Sequence, residues 1–138
     1  NKPFHPIRFW KYLNEEYPSG VIRAKGLFWL ASRPDDAINF SQAGGSSRLE
    51  RAGVWWCSMP YAERMNYQSF VDHQTMIEKK WSKQWGDRMN ELVFIGQDIE
   101  KEKMMSKIFS NETIMPISPG ASKNNGLYQK VNSFVIGL

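Results

Sequence analysis

The side chains best suited to hold a transition metal are His5, His73 and Cys57, since imidazole and thiolate are ligands that these ions favour. They are the chain's 2 histidines and 1 cysteine, and none stands at the pair spacing of zinc sites. His5 precedes a predicted helix that it can cap, and Cys57 follows two tryptophans, where a thiol packs as a small apolar group. We therefore expect no metal site.

Carboxylates that could serve as general acids or bases occur at Asp35, Asp36, Asp87 and Glu91. Asp35 and Asp36 follow a proline, where aspartate belongs in a turn, and Asp87 follows a glycine, where it can cap a segment or pair with the next arginine. The phosphate-binding pattern G-x-x-x-x-G-K-[ST] is absent, since the segment SQAGGSS has glycines but no lysine. We expect no catalytic residue and no GTP hydrolysis by this chain.

Cations and aromatic residues share the segment GVIRAKGLFWLASR, residues 20–33, which otherwise has the apolar character of a buried strand. Strand side chains alternate between two faces, and one face is apolar, with Ile22, Ala24, Gly26, Phe28 and Leu30. The other face carries Val21, Arg23, Lys25, Leu27 and Trp29. We expect its cations to point to solvent and its apolar end to lie under a hairpin or a neighbouring domain.

Arginine and tryptophan are enriched at the centres of protein interfaces, and glycines let two backbones approach closely. Several such residues can converge near the basic face of this strand. For any one of them, ordinary solvated charge or ordinary core packing is the competing interpretation. The predicted interaction surface comprises Arg23, Lys25, Trp29, Arg33, Gly44, Gly45, Trp55 and Trp56.

Apolar periodicity and turn residues predict the elements that must position this surface. Pro6 predicts the start of a helix that ends near Pro18. Its apolar stripe is Ile7, Trp10 and Leu13, and Phe9 widens that stripe. The residues RPDD predict a turn before a second strand. On that strand, Ile38, Phe40 and Gln42 share one face. The residues ERAG, 50–53, predict the turn of a hairpin that follows.

The segment ELVFIGQD, residues 91–98, predicts another central strand, and Asp98 can cap the helix after it. The core of these central strands is expected to contain Phe28, Leu30, Val93 and Ile95. This order of elements predicts a two-layer α+β fold. It has an antiparallel sheet of about four to five strands with helices packed on one face.

Length and composition fit one domain, with 138 residues, 41% of them hydrophobic, and a formal net charge of +4. The charges are scattered, which argues against nucleic acid as a partner, and no apolar run is long enough to span a membrane. The single cysteine suits a reducing compartment, so we expect a cytoplasmic protein. Residues 111–138 are expected to form a loosely ordered tail, in which VNSFVIGL could pair as a short terminal strand.

The segments PFHPIRFWKYLNE, GVIRAKGLFWLASRPD, SQAGG, AGVWW and WGDRMNELVFIGQDI occur in this order between about Pro3 and about Phe109. Together they resemble the C-terminal domain of the CobW family of P-loop GTPases, over residues 1–110. The resemblance implies an accessory α+β domain that follows an N-terminal GTPase domain in a cobalamin-biosynthesis or zinc metallochaperone protein. The family's Cys-x-Cys-Cys metal motif is absent. The start at Asn1 in a proline-rich stretch is that expected of a piece of a longer polypeptide.

The resemblance further implies that GTP, Mg²⁺ and zinc or cobalt bind in the N-terminal part of the parent, and no cofactor in this domain. The expected partners are that GTPase domain and a client metalloprotein or a second copy, bound during metal delivery. Two alternatives come from other classes of protein. One is self-association through the open sheet face or an edge strand, and the other is binding of nucleic acid or another anion by Arg with Trp.

Overall fold

The computed structural model describes residues 2–110, with side chains described as far as Lys107. The tail and the terminal strand predicted for residues 111–138 lie outside the described residues. In the described part, a helix precedes three consecutive strands, and further helices, a fourth strand and a last helix follow them.

Helix α1 (Pro6–Lys11) begins at the predicted proline, and Nδ1 of His5 accepts a hydrogen bond from the backbone N–H of Arg8 (3.5 Å). The helix continues into a π-helical turn, Tyr12–Glu16. Three strands follow: β1 (Val21–Leu30), β2 (Arg33–Ala43) and β3 (Ser46–Val54). The remaining elements are a 3₁₀ turn (Trp56–Ser58), α2 (Tyr61–Arg64), α3 (Gln68–Lys79), β4 (Glu91–Gly96) and α4 (Lys101–Ser110).

The strands form one four-stranded antiparallel sheet in the order β3-β2-β1-β4. With α1 and α4 packed on one face, this confirms the predicted α+β fold. β1 lies inside the sheet, as predicted. Within residues 2–110, however, β4 lies at an edge, so the prediction of β4 as a central strand is wrong for this part of the chain.

The first face of the sheet, as we name it, carries Ala24 and Phe28 and is covered by α1 and α4. The rings of Phe4 and Phe9 stack there with their centroids 4.5 Å apart, and Phe9 meets the edge of Phe28 at 4.7 Å. The buried cluster comprises Phe4, Phe9, Tyr12, Val21, Ala24, Phe28, Ile38, Phe40, Leu92, Phe94 and Met104. The predicted shared face of Ile38, Phe40 and Gln42 on β2 is therefore confirmed, and all three residues are buried.

A bulge between Val21 and Arg23 interrupts the alternation of β1 at its start. Because a bulge inserts one extra residue, it exchanges the faces of the residues on one side of it. Val21 is therefore buried in the first-face cluster and Ile22 is exposed, the reverse of the prediction. From Ala24 onward the predicted alternation is confirmed.

The predicted register of β4 is wrong by one residue. Leu92 and Phe94 are buried on the first face, whereas Ile95 is exposed and Val93 is only half-buried. Pairing with β1 explains this choice, because Leu92 stands opposite Gly26 and Phe94 opposite a small alanine, where large side chains have room.

The predicted stripe of α1 is correct only in part. Phe9 is buried and Leu13 packs against the cluster, whereas Ile7 and Trp10 are 73% and 60% exposed and Tyr12 faces the sheet. The segment before α1 fixes this orientation. The N–H of Phe4 donates to the carbonyl of Trp29 (3.0 Å), which sets the Phe4 ring against the sheet and draws Phe9 onto it.

Two predicted turns are placed differently. Residues 46–54 form one continuous strand, so no hairpin turn exists at ERAG, and the chain reverses instead at Gly44 and Gly45, where Gly44 has a φ of 58°. Asp35 and Asp36 lie in β2 rather than in a turn. Asp98 precedes α4 by three positions with a φ of 52°, so it does not stand at the position directly before the helix.

Candidate interaction surface

The second face of the sheet, opposite to the first face, carries the predicted cations. Arg23 stands between Ala43 of β2 and Ile95 of β4, and Lys25 stands between Ser41 and Val93. Residues directly opposite each other in an antiparallel sheet share a face. We call the end of the second face around Arg23 and Lys25 the open half-face. It consists of these two cations, flanked by small, polar and apolar side chains.

Arg23 and Lys25 are both exposed, and neither forms an ion pair with any residue in the described part of the chain. Among the described residues, their charges therefore have no ion-pair partner and stay hydrated. Such paired cations on an uncovered sheet face can attract an acidic surface without disturbing the fold.

The other end of the second face is covered by the chain itself. Trp29 is 1% exposed and Trp55 is 5% exposed, and they cluster with Ala37 against Leu27 and Trp85. The apolar end is covered, as predicted, but by two short segments of the same domain, residues 55–58 and 85–89, rather than by a hairpin or a neighbouring domain. Burial therefore removes Trp29 and Trp55 from the predicted surface, since a partner cannot reach them.

Asp87 holds this cover in place. Its two carboxylate oxygens accept hydrogen bonds from the backbone N–H groups of Trp56 (3.0 Å) and Cys57 (2.8 Å), which begin the 3₁₀ turn. The chain can approach so closely because Gly86, with a φ of 64°, lies against Cys57 with no side chain between them. A carboxylate that accepts two backbone donors is a strong tether, because charge-assisted hydrogen bonds exceed neutral ones.

Arg88 links this tether to the start of β2. Its guanidinium donates to the carbonyl of Pro34 (2.6 Å) and to Oγ of Ser58 (3.1 Å), and it lies 5.1 Å from the ring of Trp29. Asn90 is buried beyond it and accepts a hydrogen bond from the N–H of Trp29 (3.3 Å). The WGDRMN segment, residues 85–90, therefore holds the cover over one end of the second face.

A groove of about 850 Å³ opens between the second face and α3. Its apolar lining includes Leu27, Ala37, Met76, Ile77 and Met89. The lining also includes two cations, Lys80 and Arg88, and two carboxylates, Asp87 and Glu91. Since Lys25 precedes Leu27 by two positions on the same face, the groove and the open half-face form one continuous surface, basic at one end and apolar at the other.

The structure places the remaining predicted residues as follows. Arg33 is exposed and pairs with Asp36 at 3.0 Å, and Gly44 and Gly45 form the exposed hairpin tip. Trp56 is half-buried and lines the groove. Thus Arg23, Lys25 and Trp56 share one side of the sheet, whereas the hairpin tip lies beyond the end of β1 that carries Arg23.

Cys57 and His73, two of the candidate metal ligands in the sequence, each have a structural partner. The pKa of the Cys57 thiol is raised by burial and secondarily by Asp87, which disfavours a reactive thiolate. His73 is exposed on α3, and its Nδ1 lies 3.0 Å from the carbonyl oxygen of Ser69. Among the described residues, no three His, Cys, Asp or Glu side chains stand close enough together to hold a metal ion.

Sequence reasoning missed the tether of Asp87, Arg88 and Asn90 and the groove beside it. Local spacing predicts only that Asp87 caps a segment or pairs with Arg88. The partners that hold the cover, Trp56, Ser58 and Trp29, lie 30 or more positions away in the chain, and no spacing rule predicts such contacts.

The sheet, its helical layer and the groove define the class of two-layer α+β domains. Within this class the chain belongs to the family described as the cobalamin synthesis protein cobW C-terminal domain, whose model matches residues 1–110. No solved structure gives a significant match. None of the helices in residues 2–110 is long and apolar enough to cross a bilayer.

Three curated relatives are similar to the chain. A zinc-regulated GTPase metalloprotein activator of Dictyostelium discoideum is 34% identical over 92 residues, which is 67% of this chain and 18% of that protein. A zinc chaperone of Mycobacterium tuberculosis and an uncharacterised protein of Mycobacterium bovis are each 34% identical over 89 residues, or 63% of this chain and 21% of theirs. The chain thus spans about a fifth of the length of these relatives.

Proposed function

We propose that this chain is the accessory domain of a zinc-handling GTPase of the CobW family, and that its open half-face docks on the GTPase domain of the parent. The names of two relatives, a GTPase metalloprotein activator and a zinc chaperone, support the metallochaperone setting. A client metalloprotein is the second partner of the same surface, bound while zinc, or cobalt in related proteins, is delivered.

The observation that carries the proposal is the pair Arg23 and Lys25. Both are exposed and unpaired within the described residues, and both stand on a sheet face that residues 2–110 cover only at its other end. An acidic patch would be complementary to these cations, and an apolar side chain beside it would enter the groove at Leu27. The charges then set the orientation of the bound partner, and burial of its apolar side chain contributes to the affinity.

GTP and Mg²⁺ do not fit the residues of this domain. The glycines of SQAGGSS form the tip of a hairpin between two strands, Gly44 and Gly45, whereas a phosphate-binding loop joins a strand to the N-terminus of a helix. We therefore assign nucleotide and Mg²⁺ to the GTPase domain of the parent. The role of this accessory domain is to link the GTPase domain to the client metalloprotein.

The test is the double charge reversal Arg23→Glu with Lys25→Glu, measured as affinity for the purified GTPase domain of the parent. We expect at least about tenfold weaker binding, because like charges would meet across the interface. The melting curve by circular dichroism should be unchanged, since exposed substitutions alter stability by about 0.5 kcal/mol or less. Raising the salt concentration should weaken the wild type more than the variant.

The matched control is Arg8→Glu with Lys11→Glu, which makes the same change of charge on α1, over the first face. This control should bind the GTPase domain nearly as the wild type does. Equal loss in both double variants would show that only net charge matters, and wild-type binding by the Arg23→Glu, Lys25→Glu variant would reject the proposed surface.

Binding of nucleic acid has less support. Single-stranded nucleic acid is held by aromatic rings on which bases stack beside cations. On the second face the tryptophan nearest the cations, Trp29, is buried under the chain's own cover, so it offers no stacking platform.

A further inference from the structure

β3 forms the other edge of the sheet within residues 2–110. Its residues 46–52 are all exposed, and no described element covers their outer side. An uncovered edge presents a row of unpaired N–H and C=O groups that can pair with another strand. The edge is therefore a surface separate from the open half-face.

The hairpin between β2 and β3 shows which groups are free. It turns through two glycines, so Ala43 and Ser46 flank the turn and exchange both backbone hydrogen bonds, and the pattern alternates from there. The residues that direct their backbone groups to β2 are Ser46, Arg48 and Glu50. The residues that direct them to the free edge are Ser47, Leu49 and Arg51.

The side chains of this edge carry a self-complementary pattern. Arg48 and Glu50 lie on the second face, where they form an exposed ion pair of 3.2 Å. Leu49 lies between them on the first face and is 46% exposed. A leucine with a cation on one side and an anion on the other can match a second copy of itself when the two strands run in opposite directions.

We propose that two copies of this chain associate by antiparallel pairing of their β3 edges about a two-fold axis at Leu49. Leu49 then faces Leu49 of the partner subunit, and Arg48 faces Glu50 of the partner subunit in both directions. Ser47 faces Arg51 of the partner subunit, so free-edge residues meet free-edge residues and their backbone groups are satisfied. The two sheets become one continuous sheet.

Charge selects this register over its neighbours. The backbone pattern permits shifts only in steps that keep free-edge residues opposite each other. One such step places Arg48 opposite Arg48 of the partner subunit, and the step in the other direction places Glu50 opposite Glu50 of the partner subunit. Like charges directly opposite are destabilising, whereas opposite charges stabilise a strand pair. The register at Leu49 alone pairs both charges favourably among these three.

Disulfide cross-linking tests the register. In a Cys57→Ala background of the 138-residue chain, Leu49→Cys should form a disulfide-linked dimer on mild oxidation, because hydrogen-bonded opposite residues have Cα atoms about 5.5 Å apart. Ser47→Cys is the matched control on the same strand and face, and the register separates its two thiols by about 13 Å. Absence of the Leu49→Cys dimer, or equal cross-linking of the control, overturns the proposal.

Charge exchange gives a second readout, by sedimentation equilibrium. Glu50→Arg should weaken dimerisation at least about tenfold, because Arg would face Arg across the axis. Adding Arg48→Glu restores opposite pairs and should restore the dimer. A wild-type chain that stays monomeric at every concentration, or a double variant no better than Glu50→Arg, overturns the proposal. Should Glu50→Arg fail to fold, the cross-linking comparison decides. None of these results depends on the docking proposed for Arg23 and Lys25.

Discussion

Gly86→Ala should be the most destabilising glycine substitution on the second face. Gly86 has a φ of 64°, and a Cβ there would lie within 2.6 Å of Sγ of Cys57 and closer still to its Cβ. The left-handed backbone costs a residue with a Cβ about 1–2 kcal/mol, and forcing an extra methyl into a packed site costs about 1–3 kcal/mol. We expect the free energy of unfolding to fall by about 2–5 kcal/mol.

Two other glycines separate these contributions. Gly44 has a similar φ of 58° but no atom within 4 Å of the added Cβ, so Gly44→Ala should show only the backbone effect, about 1–2 kcal/mol. Gly53 has neither a positive φ nor a close neighbour, so Gly53→Ala should be nearly neutral. The expected order of destabilisation is Gly86, then Gly44, then Gly53.

Urea denaturation followed by tryptophan fluorescence measures the three free energies, and unchanged slopes against urea would show that the unfolded states are comparable. The reasoning rests on the close approach of Gly86 to Cys57. A Gly86→Ala variant that loses no more stability than Gly44→Ala would therefore refute the packing of the 85–89 segment against the 3₁₀ turn.

Tyr12→Phe should leave the free energy of unfolding unchanged or raise it by up to about 1 kcal/mol in the same assay, because the buried hydroxyl of Tyr12 has no hydrogen-bond partner among the described residues. Burial, and then Glu16, raise the pKa of Tyr12 to about 12, so wild-type stability should fall above pH ~10, where the unfolded tyrosine ionises, and Tyr12→Phe should flatten that fall. A hydrogen bond from Arg51, and charge from Arg33, lower the pKa of Asp36. Its contribution to the free energy of unfolding is therefore present above the unfolded pKa of about 4 and is lost on acidification. The melting temperature of Asp36→Asn should accordingly depend less on acid pH than that of the wild type. Isothermal titration calorimetry should detect no GTP binding by the 138-residue chain, and a micromolar affinity would contradict that expectation.

Alternation predicted the faces of β1 from Ala24 onward, because the cation Lys25 stands between the small residues Ala24 and Gly26 and marks the solvent side. It predicted the shared face of β2 because Ile38 and Phe40 alternate with the polar residues Asn39 and Ser41. It failed where one residue is inserted, at Val21, since a bulge leaves no mark in a single sequence. It also failed in β4, where four consecutive apolar residues offer no alternation to interpret. There the small partners in β1 decided the register, and only the pairing reveals them.

The candidate surface was predicted in part. Arg23 and Lys25 are exposed as expected from their positions in an otherwise apolar strand. Trp29 and Trp55 looked equally available, because a tryptophan on a sheet face can serve the core or an interface. The difference comes from Asp87 and Arg88, whose hydrogen bonds bring a distant segment over one end of the face. Contacts between residues so far apart in the chain follow from the fold rather than from local spacing.

The route of the chain has a consequence for the order of folding. The meander of β1, β2 and β3 closes through short turns, whereas β4 reaches β1 only after the whole of residues 31–90. Closing a longer loop costs more conformational entropy, so the meander can form early and β4, with the adjoining 85–90 segment, docks late. Interactions that form late mainly govern the unfolding rate. A partner seated in the groove would therefore slow the release of β4 and lengthen the lifetime of the folded domain while it is bound.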